Sequence, residues 1–366
     1  MIAFYACTNT QIINMINVKE QYYQNVDADL YILKKNRIDL DLIQCIKDTK
    51  VFKSIIFIEP YLTSKCFIKK YLALFITHMP NKYYDEILIK KSSNIFYDKF
   101  LTFGFWSEAL YILDYFYRQN TKIEVEFVEE GLVNYFPYRK KLYYCRAYYG
   151  LKEKIIRLLA HGLNAFFLKK NINSVYYLYM PEYFPKSEIQ YKKITAIDIK
   201  NNYIFSQIFN KYYTYKKKLL QIYQNKTFIY IFDNKDIEKH IELIKIFYKK
   251  YNINCNFLIK LHPENTFDDI KKIKAEIKDV QIDDSNFYFE SLGFYYNIEN
   301  INLICRGSSI AYNMHMLFGF KYKTILTYKL FAYNNYEDVI NGYDKFWNFI
   351  YNLYKDYKII NDTRME

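Results

Sequence analysis

The run Asn256-Phe257-Leu258-Ile259-Lys260-Leu261-His262-Pro263-Glu264-Asn265 decides how the rest of the chain is parsed. An apolar segment stops abruptly at His-Pro, and proline cannot continue a strand ladder because it lacks an N–H and fixes φ. The segment reads as a short buried strand whose carboxyl end delivers His262 to a loop. In open α/β sheets that edge is where ligands bind. Lys260 lies two residues before His262, so both point to the same side of the strand. A cation and an imidazole at one strand mouth suit an anionic, phosphate-bearing ligand whose leaving group needs a proton. The plain alternative is a strand end with a solvated histidine.

Working outward, strand–helix–strand units recur on both sides. Residues 228–232 form an apolar strand stopped by Asp233-Asn234, and 237–251 form an amphipathic helix with Ile237, Ile241, Ile244 and Tyr248 on one face. Asp233 thus joins the carboxylates at a strand mouth. Beyond the central run come a helix near 267–278, a strand at 280–282, and a short helix that opens at Phe289 with Glu290 in its first turn. Residues 301–305 lead as a strand into Arg306-Gly307-Ser308-Ser309 and a helix over 310–318. Backbone N–H groups at such a helix start, helped by serine hydroxyls, are an anion seat; either serine also serves as an ordinary N-cap. Residues 336–357 are aromatic and helical.

Toward the amino terminus the same alternation is expected. Strands are read at 2–8, 28–33, 53–58, 86–89 and 123–128, with a turn or strand begun at 94–97. Helices are read at 11–18 (capped by Thr8 or Thr10), 40–46, 66–76 and 105–117. The strand at 123–128 ends in Glu129-Glu130-Gly131. Glycine there permits a sharp turn and close approach to the backbone, and the two acids stand in the same topological place as His262. Two exposed acids in a tight turn are the bland reading. A helix at 151–168, a strand at 175–180, prolines 181 and 185 and a long helix at 204–223 complete the bridge. Alternating strands and helices argue for parallel sheets covered on both faces, hence α/β with Rossmann-like domains.

The bulk numbers are compatible with this. The 366 residues are enough for two domains, 51% hydrophobic and 25% charged, a globular composition. The net charge of +13 favours phosphates, in nucleotides, nucleic acid or an anionic membrane surface. Basic residues interleave with tyrosines at 138–144 and 213–218, and a solvated basic face explains any one such cluster. Six scattered cysteines show no zinc spacing, which fits reduced thiols in a cytoplasmic protein. No basic-then-apolar leader precedes the first strand, and no apolar run reaches the ~18 residues of a membrane span.

The ordered trio of Glu129-Glu130-Gly131, then Lys260-x-His262-Pro263 about 130 residues on, then Arg306-Gly307-Ser308-Ser309 about 45 further, resembles the bacterial sialyltransferases. Length and spacing look most like the lipooligosaccharide and capsule sialyltransferases of glycosyltransferase family 52, with the polysialyltransferase-type capsule enzymes next. The resemblance implies a GT-B arrangement of two facing Rossmann-like domains. Residues 1–222 would form the N-terminal acceptor-side domain, 223–335 the C-terminal nucleotide-sugar domain, and 336–366 a helical segment packing across them. It implies CMP-sialic acid as donor, a glycan (galactose-terminated) as acceptor, and no metal or other cofactor. By the same analogy His262 would be the general acid on the departing CMP. Lys260 and Glu290 would contact the nucleoside, Pro263 would belong to the same donor-binding set, and Gly307, Ser308 and Ser309 would hold the phosphate. Glu129 first and Glu130 second would be the base, with Asp233 the corresponding carboxylate in some members. Glu-Glu here stands where Asp-Asp occurs elsewhere, which leaves the choice of base open.

Such a reaction needs a base on the acceptor side and protonation on the leaving side. Histidine, with an unperturbed pKa of ~6.5, is a workable donor near neutrality. Rival readings are transfer of another sugar, from CMP-Kdo or a UDP- or GDP-sugar, and a basic protein that binds nucleic acid or membrane without catalysis. No nucleic-acid module signature is present, so no nucleic-acid partner is expected. Peripheral contact with the inner membrane face through the Lys/Arg/Tyr clusters is compatible with the enzyme reading. Homodimers occur in the resembling family.

Overall fold

The computed structural model describes residues 1–34, 38–60, 85–89, 95–104, 107–131, 135, 172–183, 190–198, 201–233, 236–250, 256–277, 280–296, 301–307, 309–318, 323–331, 337–354 and 357–359. The helices expected at 66–76 and 151–168, Pro185, Asn234, Ser308 and the basic run at 138–144 lie outside the described residues.

The first sheet contains β1 (Ile2–Ala6), β2 (Ala28–Leu33), β3 (Ser54–Ile58), β4 (Lys99–Thr102), β5 (Glu124–Val128), β6 (Ile172–Leu178) and β7 (Gln190–Lys193). They are ordered β3-β2-β1-β4-β5-β6-β7, every pairing parallel. All of β1 and β2 is buried, as a parallel sheet covered on both faces demands. Helix α1 (Asn9–Tyr22) follows β1, and Thr8 caps it by accepting from the Gln11 N–H. Helix α2 (Leu40–Thr49) follows β2, and α3 (Ser107–Gln119) lies between β4 and β5.

The second sheet contains β8 (Phe228–Ile231), β9 (Phe257–Lys260), β10 (Gln281–Asp283), β11 (Asn302–Cys305), β12 (Lys323–Leu326) and β13 (Tyr357–Ile359). Their order is β10-β9-β8-β11-β12-β13, again all parallel. Both sheets thus start at a central strand, build outward one way, then reverse to the other side, which is the doubly wound Rossmann order. Between these strands come α4 (Tyr203–Leu220, before β8), α5 (Ile237–Lys250), α6 (Phe267–Glu276), the one-turn α7 (Leu292–Tyr295), α8 (Ser309–Phe318) and α9 (Glu337–Tyr354).

The chain divides into two compact units. One holds Met1–Ile38, Lys50–Glu130 and Arg139–Ile194; the other holds Asp39–Thr49, Gly131–Tyr138 and Thr195–Glu366. This differs from a boundary at 222 with a separate tail at 336–366, for reasons of packing. α4 buries Phe205, Ile208, Phe209 and Tyr212 and belongs with the second sheet. Its Tyr212 hydroxyl donates to Asp39 at the head of α2 (2.6 Å) and accepts from the Tyr288 N–H (3.0 Å). α2, though it lies between two strands of the first sheet in sequence, therefore goes with α4; Lys211 and Lys216 pair with Asp48 and with Asp39 and Asp41. α9 sits in the second unit as well, with Phe346 packed on Tyr312 and Tyr135.

One expected strand is a helix instead. Residues 85–89 are helical, because Leu88 enters the core formed with Ile58, Tyr97 and Ile112 while Ile89 stays exposed. The strand in that part of the sheet is β4, ten residues later.

Candidate active site

The sequence-derived residues sit at carboxyl ends of parallel strands in both units. In the first unit β5 runs out at Glu129-Glu130. Glu129 is fully buried: its Oε2 accepts the Tyr179 N–H at 2.8 Å and its carbonyl accepts Asn14 Nδ2 at 3.0 Å. Tyr179 is held in turn, its hydroxyl donating to Asn14 Oδ1 at 3.0 Å. Glu130 is part-exposed. Gln11, in the first turn of α1, accepts the Cys7 N–H at 2.7 Å and donates to Glu130 Oε1 at 3.1 Å. The two acids therefore differ: Glu129 anchors β5 to β6 and α1, while Glu130 is presented at the edge with its carboxylate oriented by an amide. The order of preference between them reverses from the sequence expectation, because a group that takes a proton from a ligand must reach it.

In the second unit β9 runs out at His262. The part-exposed ring accepts the Glu264 N–H on Nδ1 at 3.2 Å. The hydrogen of the neutral imidazole then sits on Nε2, the atom that would donate. The turn is braced reciprocally: the His262 N–H donates to Asn265 Oδ1 (2.8 Å) and the Asn265 N–H to the His262 carbonyl (3.0 Å). Pro263 is exposed within it, and a Thr266/Asp269 capping box starts α6 immediately after. Asn265 went unnoticed in the sequence, although an Asn two residues past His-Pro is a turn signal.

Lys260 does not reach out beside His262. It is 3% exposed, donates to the Ser285 carbonyl at 2.5 Å and pairs with Asp283 at 3.4 Å. Burial pushes its ammonium below the ordinary lysine range, and Asp283 opposes that shift. The register explains the pairing, since Asp283 lies opposite Lys260 across β9 and β10. Tyr223 also donates to Asp283. Glu290 is buried too and accepts Asn313 Nδ2 at 3.2 Å. Both residues expected at the nucleoside are thus engaged inside the unit, shaping the segment between β10 and α7.

At the exit of β11, Gly307 has φ 121, a conformation that favours glycine, and Ser309 opens α8. Gly131 of the acidic motif has φ 134 and lies against this helix start. A Cβ added there would come within 3.0 Å of Asn313 Oδ1 and 3.3 Å of Ser309 Cβ. Two of the three motifs are therefore joined inside the second unit by Gly131, Ser309, Asn313 and Glu290. Asp233, at the exit of β8, pairs with Arg306 at 3.7 Å, and Arg306 Nη1 donates to Asp236 at 2.7 Å. Arg306 belongs to the quoted Arg-Gly-Ser-Ser motif but received no role from sequence; a charged residue closing an apolar strand was the signal.

Among the described residues no group of three or more His, Cys, Asp or Glu side chains is placed to hold a metal ion. No described helix is long and apolar enough to cross a membrane.

The sequence model of the family "Alpha-2,8-polysialyltransferase (POLYST)" matches residues 4–326. The chain belongs to that family. It is therefore a glycosyltransferase of the sialyltransferase kind, and its family implies a nucleotide-sugar donor and a glycan acceptor. The motifs had put family 52 first and the polysialyltransferase type next; the match is to the second. No curated protein matches the sequence. Among solved structures, a UDP-GlcNAc 2-epimerase from Neisseria meningitidis bound to UDP-GlcNAc aligns over 98% of this chain and 95% of its own, at 15% identity and TM-score 0.50. A UDP-glucosyltransferase from Polygonum tinctorium aligns over 89% and 79%, at 8% identity and TM-score 0.49. At 15% identity the likeness to the epimerase is one of fold, and it agrees with the α/β, GT-B-like class of two Rossmann-like units.

Proposed function

We propose that the enzyme transfers sialic acid from CMP-sialic acid to a hydroxyl of a glycan, with inversion and without a metal. The family description moves the expected acceptor from galactose to a terminal sialic acid, extended through its 8-hydroxyl. In the step, the acceptor oxygen bonds to the anomeric carbon of the donor sugar as the bond from that carbon to the phosphate oxygen breaks. The β-linked donor becomes an α-sialoside. Glu130 takes the acceptor proton, and His262 Nε2–H donates a hydrogen bond to the phosphate oxygen of the departing CMP, which leaves as the phosphate anion. The first unit is the acceptor side and the second the donor side. Gly307, Ser309 and the amino end of α8 supply N–H and hydroxyl donors to the donor phosphate.

The observation that carries this reading is the His262 turn. An imidazole at the end of an interior parallel strand, with Nδ1 occupied by a main-chain N–H, is set to donate a hydrogen bond from Nε2 to an anion. The test is incubation of the full chain with CMP-Neu5Ac and acceptors ending in sialic acid or in galactose, with and without EDTA. Release of CMP with the sialylated acceptor, unchanged by EDTA, is the expected result. CMP release that requires a divalent cation, or transfer only from a UDP-sugar, overturns it.

A further inference from the structure

We propose that Arg306 is a positioning residue for the donor-phosphate turn, clamping the exits of β8 and β11 together at the point where the second sheet reverses its order. This rests on the donor-side reading of that unit. The reversal falls between β8 and β11, and ligands of open α/β sheets sit in the crevice at such a point. The two turns that border it both carry unusual backbone. Asp236, after β8, has φ 54, and Gly307, after β11, has φ 121. A left-handed conformation at a residue with a side chain persists when its surroundings over-determine it.

For Asp236 the surroundings are visible. Its carbonyl accepts the His240 N–H at 3.1 Å, which starts α5. Its carboxylate accepts Arg306 Nη1 at 2.7 Å, and Asp233 lies 3.7 Å from the same nitrogen. The guanidinium sits 4.5 Å from the centre of the Phe331 ring, whose other neighbour is His240 at 4.6 Å. Arg306 thus ties strand β11 to both carboxylates of the opposite turn while stacked on a buried ring. Its side chain is 9% exposed, against 37% for Asp233 and 46% for Asp236. A guanidinium so covered, and outnumbered by carboxylates, is built to hold the turns rather than to meet a phosphate itself. Gly307 is the next residue, so the direction of its N–H groups follows from where Arg306 is held. A planar fork that also stacks is what the place requires, and lysine offers neither.

Arg306→Lys and Asp236→Asn in the full chain test this, read by donor KM and kcat for CMP release and by amide exchange of peptides covering 228–240 and 302–312. Arg306→Lys is expected to raise donor KM about tenfold with kcat changed less than about threefold, the signature of lost ground-state binding. Exchange should rise in both peptides together. Asp236→Asn, at a half-exposed carboxylate, should raise KM about threefold by weakening one charge-assisted bond. An Arg306→Lys enzyme with wild-type KM, or one whose exchange rises in the β11 peptide alone, overturns the clamp. If the lysine variant does not fold, Asp236→Asn decides by the same measures. If the wild type neither releases CMP nor gains thermal stability from CMP, the sialyl-donor reading falls while the exchange data still judge the clamp.

Discussion

The carboxyl edges of the two sheets hold their chemistry in opposite ways. At the end of β5, main-chain and side-chain amides from Tyr179, Asn14 and Gln11 hold Glu129 and Glu130. At the ends of β8, β9 and β11, ion pairs do the holding. Lys260 with Asp283, and Arg306 with Asp236, brace the turns that present an imidazole, a hydroxyl and backbone N–H groups. A buried ion pair loses most when one partner is removed, because the other is left as an uncompensated charge.

The largest test of this contrast is chemical. Glu130→Gln and His262→Gln should each lower turnover by ~10²–10⁴ with the melting temperature unchanged. Glu129→Ala should behave otherwise, losing ~1–3 kcal/mol of stability through the orphaned Tyr179 N–H while keeping turnover per folded molecule. If Glu129→Ala abolishes turnover and Glu130→Gln spares it, the roles are exchanged.

Next comes the bracing pair. Lys260→Met alone leaves Asp283 buried without its cation and should cost about 3–5 kcal/mol in denaturant unfolding. Adding Asp283→Leu should recover most of it. A double variant no more stable than the single one would show that the pair is not acting as a unit. Gly131→Ala should cost about 1–3 kcal/mol, because it forces a side chain into a left-handed backbone against Asn313 and Ser309. A wild-type melting temperature in that variant would show that the turn relaxes freely.

The smallest effect at neutral pH is acid sensitivity, which should separate the units. His240 is buried among Phe232, Phe331 and Tyr230, and burial first, then Arg306, push its pKa down to about 3. Below about pH 6.5 the unfolded chain takes up a proton that the folded chain refuses, so stability falls from there toward pH 3. Glu126 in the first unit has the same sign in a lower pH window, for a different cause. Burial alone would raise its pKa, but hydrogen bonds from Lys99, Tyr23 and Tyr177 outweigh it and hold the group below the ordinary range. Its contribution is intact above the ordinary carboxylate range and is lost progressively from that range down through the depressed value. Melting of wild type and His240→Phe at pH 7, 5.5 and 4.5 should show a flatter decline in the variant; parallel curves would remove His240 as the cause.

The alternation of strands and helices was legible because β1, β2, β5, β8, β9 and β11 are apolar runs closed by polar stops. What escaped notice was short or polar. β7 is Gln-Tyr-Lys-Lys at a sheet edge, where one side needs no apolar cover. β4 and β12 are four residues each, begun by lysine. In the site, His262, Gly307 and Ser309 stand at the strand exits as read. The engagement of Lys260 was hidden because Asp283 meets it through cross-strand register, and local sequence carries no information about that partner. The same holds for Glu129 and Glu130, adjacent and identical in type, separated only by which one β6 reaches.

The placement of α2 bears on how the chain is made. Its apolar face, Leu42, Ile43, Cys45 and Ile46, is completed by α4, whose residues leave the ribosome more than 150 positions later. At the usual ~5–20 residues per second, that face waits for tens of seconds in a nascent chain already able to pair β1 with β2. During synthesis, then, an apolar face is left uncovered long after its neighbouring strands can pair, far in sequence from the turns at His262 and Gly307.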